Sequence, residues 1–301
     1  MTFSSGGNFQ GGRVKKAGGR TGAVVGGVGG GLALVVALAY ALGGQQIGDF
    51  VSNLTGGGAA QPAVAGDGQQ AYVEACTADQ ANSDRDCRLS ATVQSLDAYW
   101  TIALPQQARV QYTEAAVVDY SGSVSTPCGT ASNATGPFYC PPDQTIYIDP
   151  SFFDVLQKDF GSKGGPLAEE YVVAHEMGHH IENLAGYLER AGNDTGADSG
   201  SVRIELMADC LAGMWAGNAA KTVDPNTGKT YLNPITNAQL NDALSAAASV
   251  GDDHIQQQAT GRANPESFTH GTSAQRMKWF QIGYNGGTVK TCDALDASDL
   301  G

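Results

Sequence analysis

Tyr171-Val172-Val173-Ala174-His175-Glu176-Met177-Gly178-His179-His180-Ile181-Glu182 is the stretch on which the reading of this chain turns. Val173, Met177, Ile181 and Leu184 recur at helical intervals, so the stretch reads as a core helix. Residues four apart on a helix lie one above the other on the same face. His175 and His179 therefore point two imidazoles at one metal ion. Glu176 stands beside them, close enough to touch a coordinated water without being a ligand. Two nitrogen ligands, an adjacent carboxylate base and an open coordination position are what a zinc hydrolase needs. His180 faces about 100° away from His179 and is read as a non-ligand.

A catalytic zinc site needs a third protein ligand. The continuation His-x-x-Gly-x-x-His is excluded, because Glu182 occupies the glycine position and Ala185 the histidine position. The next source is Arg203-Ile204-Glu205-Leu206-Met207-Ala208-Asp209-Cys210-Leu211-Ala212-Gly213-Met214-Trp215. Ile204, Leu211 and Trp215 repeat at helical intervals, and Glu205 and Asp209 share a face. A carboxylate pair on the apolar side of a helix is costly unless bound to something. A metal explains both: Glu205 as the third ligand, Asp209 as the residue orienting a ligand histidine. The plainer alternative is a capped or solvated helix carrying two acids.

The Glu-x-x-x-Asp helix downstream of His-Glu-x-x-His resembles the gluzincin pattern of thermolysin-like peptidases. Five segments narrow the likeness: Gly136-Pro137-Phe138-Tyr139-Cys140-Pro141-Pro142-Asp143, Ile146-Tyr147-Ile148-Asp149, His175 to His180, Glu205 to Cys210, and Pro265-Glu266-Ser267-Phe268-Thr269-His270-Gly271-Thr272-Ser273-Ala274-Gln275-Arg276. Together they resemble the bacterial neutral zinc metallopeptidase family over residues 76–292. The resemblance implies a zincin-like domain, a Zn2+ cofactor and a peptide or protein substrate.

Other site candidates are single residues. His270, loop-borne beside a helix start, is expected to donate to the oxyanion of a tetrahedral intermediate, or else to bind backbone carbonyls. Tyr147 is expected to supply a similar donor or to pack. Arg276 is read as binding a substrate carboxylate or pairing with Asp252 or Asp253. His254 has no evident partner. Ile146, Tyr147 and Ile148 form a short apolar strand, read either as an exposed edge that pairs with an extended substrate or as an interior strand.

The ends of the chain differ in composition. Residues 1–21 form a Gly-rich head with Arg13, Lys15, Lys16 and Arg20 and no acid, and residues 22–42 carry no charge. That run is long enough to span a bilayer, and the basic residues before it place the head in the cytoplasm. A cleaved signal, with Ala39-Tyr40-Ala41 as the cleavage site, is the competing reading. Gly22, Gly26 and Gly30 form a small-residue face suited to helix pairing. Residues 43–71 read as a flexible linker, and residues 72–301 as one extracytoplasmic domain. The net charge is −13 despite the basic head, which excludes nucleic-acid binding through a phosphate-neutralising patch. Gly228-Lys229-Thr230 is not a phosphate loop, because Val223 holds the required glycine position.

All six cysteines fall in the domain, which suits an oxidising compartment. Nearest-neighbour pairing gives Cys76–Cys87, Cys128–Cys140 and Cys210–Cys292. Helices are expected over 86–99, 152–160, 238–249 and 273–282 besides the two metal-site helices, with strands over 111–120 and 145–149 and a loop over 128–140. The fold class is thus α+β, mainly helical, with a small sheet and one preceding transmembrane helix. The expected function is membrane-anchored, zinc-dependent peptide hydrolysis. The rival is a non-catalytic exported disulfide-bonded binding module with a structural or absent metal.

Overall fold

A computed structural model describes residues 2–17, 71–132 and 135–301. In chain order the strands are β1 (Asn8–Phe9), β2 (Lys15–Ala17), β3 (Ala71–Tyr72), β4 (Cys76–Thr77), β5 (Ala116–Tyr120), β6 (Ser123–Thr126), β7 (Gly129–Ser132), β8 (Phe138–Cys140) and β9 (Thr145–Ile148). The helices are α1 (Ala78–Ser83), α2 (Arg85–Ala108), α3 (Phe152–Lys158), α4 (Pro166–Leu184), α5 (Tyr187–Ala191), α6 (Gly200–Ala219), α7 (Asn237–Ser249), α8 (Asp252–Thr260) and α9 (Ser273–Tyr284). The fold is α+β and mainly helical, as expected. The principal sheet has the order β3-β2-β5-β9-β8, with β2, β5 and β9 parallel and the outer two strands antiparallel to their neighbours.

Helix α4 starts with Pro166 at its first turn after Gly165, where a missing N–H costs nothing, and stops before Gly186 at φ 78°. Every residue from Leu167 to Glu182 is buried, so α4 runs through the core with neighbours all round. Helix α6 begins at Ser199, whose side chain accepts from the Val202 N–H. It crosses α4 where Gly178 meets Ala208: a Cβ at Gly178 would lie 2.9 Å from the Ala208 Cα. Helix α9 opens with a Thr272/Gln275 capping box. It lies close along α6 because Gly213, Gly217 and Gly283 carry no Cβ to meet the opposing backbone. The Cys210–Cys292 disulfide ties α6 to the C-terminal segment, and Cys128–Cys140 closes the β6–β7 region onto β8.

Several expectations need correction. Residues 2–17, read as part of a separate head, are built into the domain. β1 pairs with β4, and β2 lies between β3 and β5. Phe3, Phe9 and Val14 are buried, and Arg13 forms an ion pair with Asp97 at 2.7 Å. Composition alone hid this, because three apolar residues spaced through a polar Gly/Ser stretch give no periodic signal. Among the described residues no helix is long and apolar enough to cross a membrane. The expected span over 22–42, its Gly22, Gly26 and Gly30 face and most of the expected linker lie outside them. Strand β9 is interior, paired on both sides, so the edge reading of Ile146, Tyr147 and Ile148 fails. Cys76 and Cys87 hold thiols in hydrogen-bond contact rather than the expected disulfide. The loop expected over 128–140 contains β7 and β8.

Candidate metal centre

α4 carries His175 and His179 on the face turned toward α6, and α6 carries Glu205 and Asp209 on the face turned back. The Nε2 of His175 lies 3.1 Å from one oxygen of Glu205, and the Nε2 of His179 lies 3.5 Å from the other. The candidate ligand atoms of His175, His179 and Glu205 all lie within 4.8 Å of one another, and all three residues are buried. Among the described residues this is the one such group.

Each histidine is held through its other ring nitrogen. His175 Nδ1 donates to Asp209 at 3.0 Å, the orienting role expected for Asp209. His179 Nδ1 donates to Glu182 at 2.8 Å. These bonds orient both rings and leave both Nε2 atoms directed at the shared space. Glu182 was missed in the sequence, although an acid three residues after His179 on an all-buried helix was a usable signal. Glu176 is fully buried, and neither of its carboxylate oxygens has a hydrogen-bond partner.

Burial and charge act in opposite directions at this cluster. Burial pushes the Glu176 carboxyl up to about 7, against the pull of His175. Glu182 is raised well above the usual range by burial and then by Glu205 and Asp209. Burial also opposes ionisation of Glu205, but His270, His179 and His175 outweigh it and hold the group well below the carboxylate range. Burial lowers His179 to about 3. In His175, burial is overcome by Asp209, and the ring rises to about 9. A buried site with this many acids is one that a cation would relieve.

The remaining candidates are distributed as follows. His270 is buried close to Glu205, and its Nδ1 meets the Thr269 hydroxyl at 2.7 Å and Asp252 at 3.4 Å. Asp252 also accepts the backbone N–H groups of Thr269, His270 and Gly271, at 2.7, 2.6 and 3.0 Å, and so shapes the loop that presents the imidazole. Tyr147 lies elsewhere. It packs with Tyr120, Phe138 and Cys140 on one face of the sheet, while Ile146 and Ile148 join the main core with α4 on the other. Its hydroxyl donates to Asp143 at 2.7 Å, so the oxyanion role expected of it is not available from that face. Both ring nitrogens of His180 are engaged away from this group, by Tyr139 and by the Thr113 carbonyl. His254 does have a partner, the Phe160 carbonyl at 3.0 Å. Arg276 pairs with Asp209 at 2.8 Å and more distantly with Glu205 at 3.8 Å, not with Asp252 or Asp253.

Residues 4–295 match the family described as "Putative neutral zinc metallopeptidase", and the chain belongs to that family. The uncharacterised protein Rv2575 of Mycobacterium tuberculosis is 52% identical over 226 residues, covering 75% of each chain. The uncharacterised protein Mb2605 of Mycobacterium bovis matches to the same extent. The uncharacterised protein YpfJ of Escherichia coli K12 is 40% identical over 193 residues, covering 62% of this chain and 63% of its own. No solved structure matches.

Proposed function

We propose that this chain is a zinc-dependent metallopeptidase that hydrolyses peptide bonds with Glu176 as general base. The observation that carries the reading is the convergence of His175 Nε2, His179 Nε2 and the Glu205 carboxylate beside a buried, unpartnered Glu176. A structural metal site has no use for that last group, which argues against the non-catalytic binding module. The donor set of two imidazoles and one carboxylate fits zinc. When bound, zinc supplies Lewis acidity, which makes water a nucleophile near neutral pH. Glu176 takes the proton of the attacking water and returns it to the leaving amine. His270, held through Nδ1 by Thr269 and Asp252, presents its other ring nitrogen to the oxyanion in this reading. The two disulfides support a domain that works outside the reducing cytoplasm. Residues 22–42 are its membrane attachment in this reading.

The test is the metal content of the purified protein together with its cleavage of an unstructured protein substrate. Parent protein should bind one zinc and cleave. Glu176→Gln should keep the zinc and lose roughly 10²–10⁴-fold in turnover. Absence of zinc in the parent, or parental turnover in Glu176→Gln, overturns the proposal.

A further inference from the structure

Arg276 is 1% exposed. A guanidinium buried beside a cation site is costly unless its charge is used. Its fork closes on Asp209: Nε donates to Oδ2 at 2.8 Å, and a terminal nitrogen donates to Oδ1 at 3.1 Å. Tyr171 lies one turn before His175 on α4. Its hydroxyl donates to the same Oδ1 at 2.5 Å and accepts from Arg276 at 3.3 Å. The third donor to Oδ1 is His175 Nδ1. Both Asp209 oxygens are thus filled by donors from the chain itself.

We propose that Arg276 and Tyr171 clamp Asp209 as the hydrogen-bond acceptor of His175 and keep it out of metal coordination. Glu205, one turn earlier on α6, is then the acid left to the metal. This rests on the metal-site reading above. The clamp arrives by packing, independently of any metal: the Thr272/Gln275 box starts α9, and the glycines at 213, 217 and 283 seat it on α6. Arg276 and Tyr171 are positioning residues: their short hydrogen bonds go to Asp209, while the nearest Glu205 oxygen lies 3.8 Å from the Arg276 guanidinium. A lysine at position 276 keeps the charge but not the planar two-point grip.

The experiment measures zinc dissociation constants by competition with a chromophoric chelator, for the parent, Arg276→Lys, Asp209→Asn and the double variant. Melting temperatures of the zinc-free proteins are recorded alongside. Arg276→Lys should weaken zinc binding roughly 10–100-fold, as changes behind a metal ligand do. The loss should disappear in the Asp209→Asn background, because residues acting in series are not additive. Unchanged affinity in Arg276→Lys overturns the inference, as does an equal loss in both backgrounds, which marks a role in packing alone. If Arg276→Lys does not fold, Tyr171→Phe removes a donor from the same oxygen without touching a charge. It must show the same background-dependent loss, and its failure to do so overturns the inference. A parent that binds no zinc overturns the metal-site reading and this inference together, whereas equal binding by parent and variants overturns this inference alone.

Discussion

His179 donates its Nδ1 proton to Glu182, three residues further along the same helix, at 2.8 Å. His175 depends instead on Asp209 from a second helix. One imidazole is therefore oriented within α4 and the other only when α4 and α6 are packed. Glu182→Ala should weaken zinc binding roughly 10–100-fold by freeing the His179 ring. Glu182→Gln should lose less, because the amide oxygen still accepts the proton. Chelator competition measures both, and parental affinity in Glu182→Ala would sink the role assigned to Glu182.

The α6–α9 contact is predicted to be intolerant of a single methyl group. A Cβ at Gly213 would stand 2.0 Å from the Phe280 carbonyl oxygen and 2.9 Å from the Tyr284 nitrogen. Neither obstacle is a movable side chain, so Gly213→Ala should cost about 1–3 kcal/mol or more in a denaturant titration. Asp209 and Arg276 sit on the two helices being forced apart, so zinc affinity should fall as well. Parental stability in the alanine variant would mean that the helices approach less closely than described.

Stability should fall as pH rises from the carboxylate range toward 8, and Glu170 is one cause. It is fully buried, accepts a hydrogen bond from the Thr2 hydroxyl, and burial raises its carboxyl to about 8. The raised folded-state value means that the neutral acid is favoured in the fold. Its contribution is fully present below the unfolded carboxyl range and is lost as pH rises toward 8. Each pH unit between those limits removes at most about 1.4 kcal/mol. Glu170→Gln should flatten that decline. Denaturant midpoints at pH 5 and pH 8 compare the two, and an equally steep fall in the variant would count against it.

Asp252 gathers three backbone N–H groups around His270, so its loss should act on chemistry more than on metal. We expect Asp252→Ala and His270→Ala to retain zinc while losing turnover, with a loss of about 10²-fold for His270→Ala. Metal analysis and steady-state rates on one substrate check this. Zinc loss in His270→Ala would mean that the imidazole serves the metal instead.

The metal cluster was legible in sequence because it rests on helical periodicity, which is local: positions 175 and 179, and 205 and 209, share faces whatever the rest of the chain does. The facing of those two helices was inferred from chemistry and agrees with the structure. What stayed hidden depends on contacts between distant segments. Tyr147 was left between an oxyanion donor and a packing residue, and strand alternation puts it on the opposite face from Ile146 and Ile148. Arg276 could not be paired with Asp209 without knowing that three glycines let α9 lie against α6. Helix α8 escaped notice because its polar run, Asp252 to Thr260, shows little apolar periodicity. The strands β1 and β2 are too short to carry an alternating pattern of their own.

The place of β2 bears on how the protein can sit at a membrane. Lys16 is registered against Ala71 on one side and Asp119 on the other, so residues 17 and 71 lie on adjacent strands of one sheet. A segment that crossed a bilayer once between those points would put two hydrogen-bonded strands in different aqueous phases. A head on one side of a membrane and a domain on the other, as expected from charge asymmetry, are therefore incompatible with this sheet, which holds residues 15–17 beside β5. A thiol introduced at the exposed Gln10 should react with the same membrane-impermeant reagent as one on the domain surface; protection of the first alone would contradict the shared sheet. The parallel pairing of β2 with β5 thus makes the N-terminal residues share whatever compartment holds the rest of the domain.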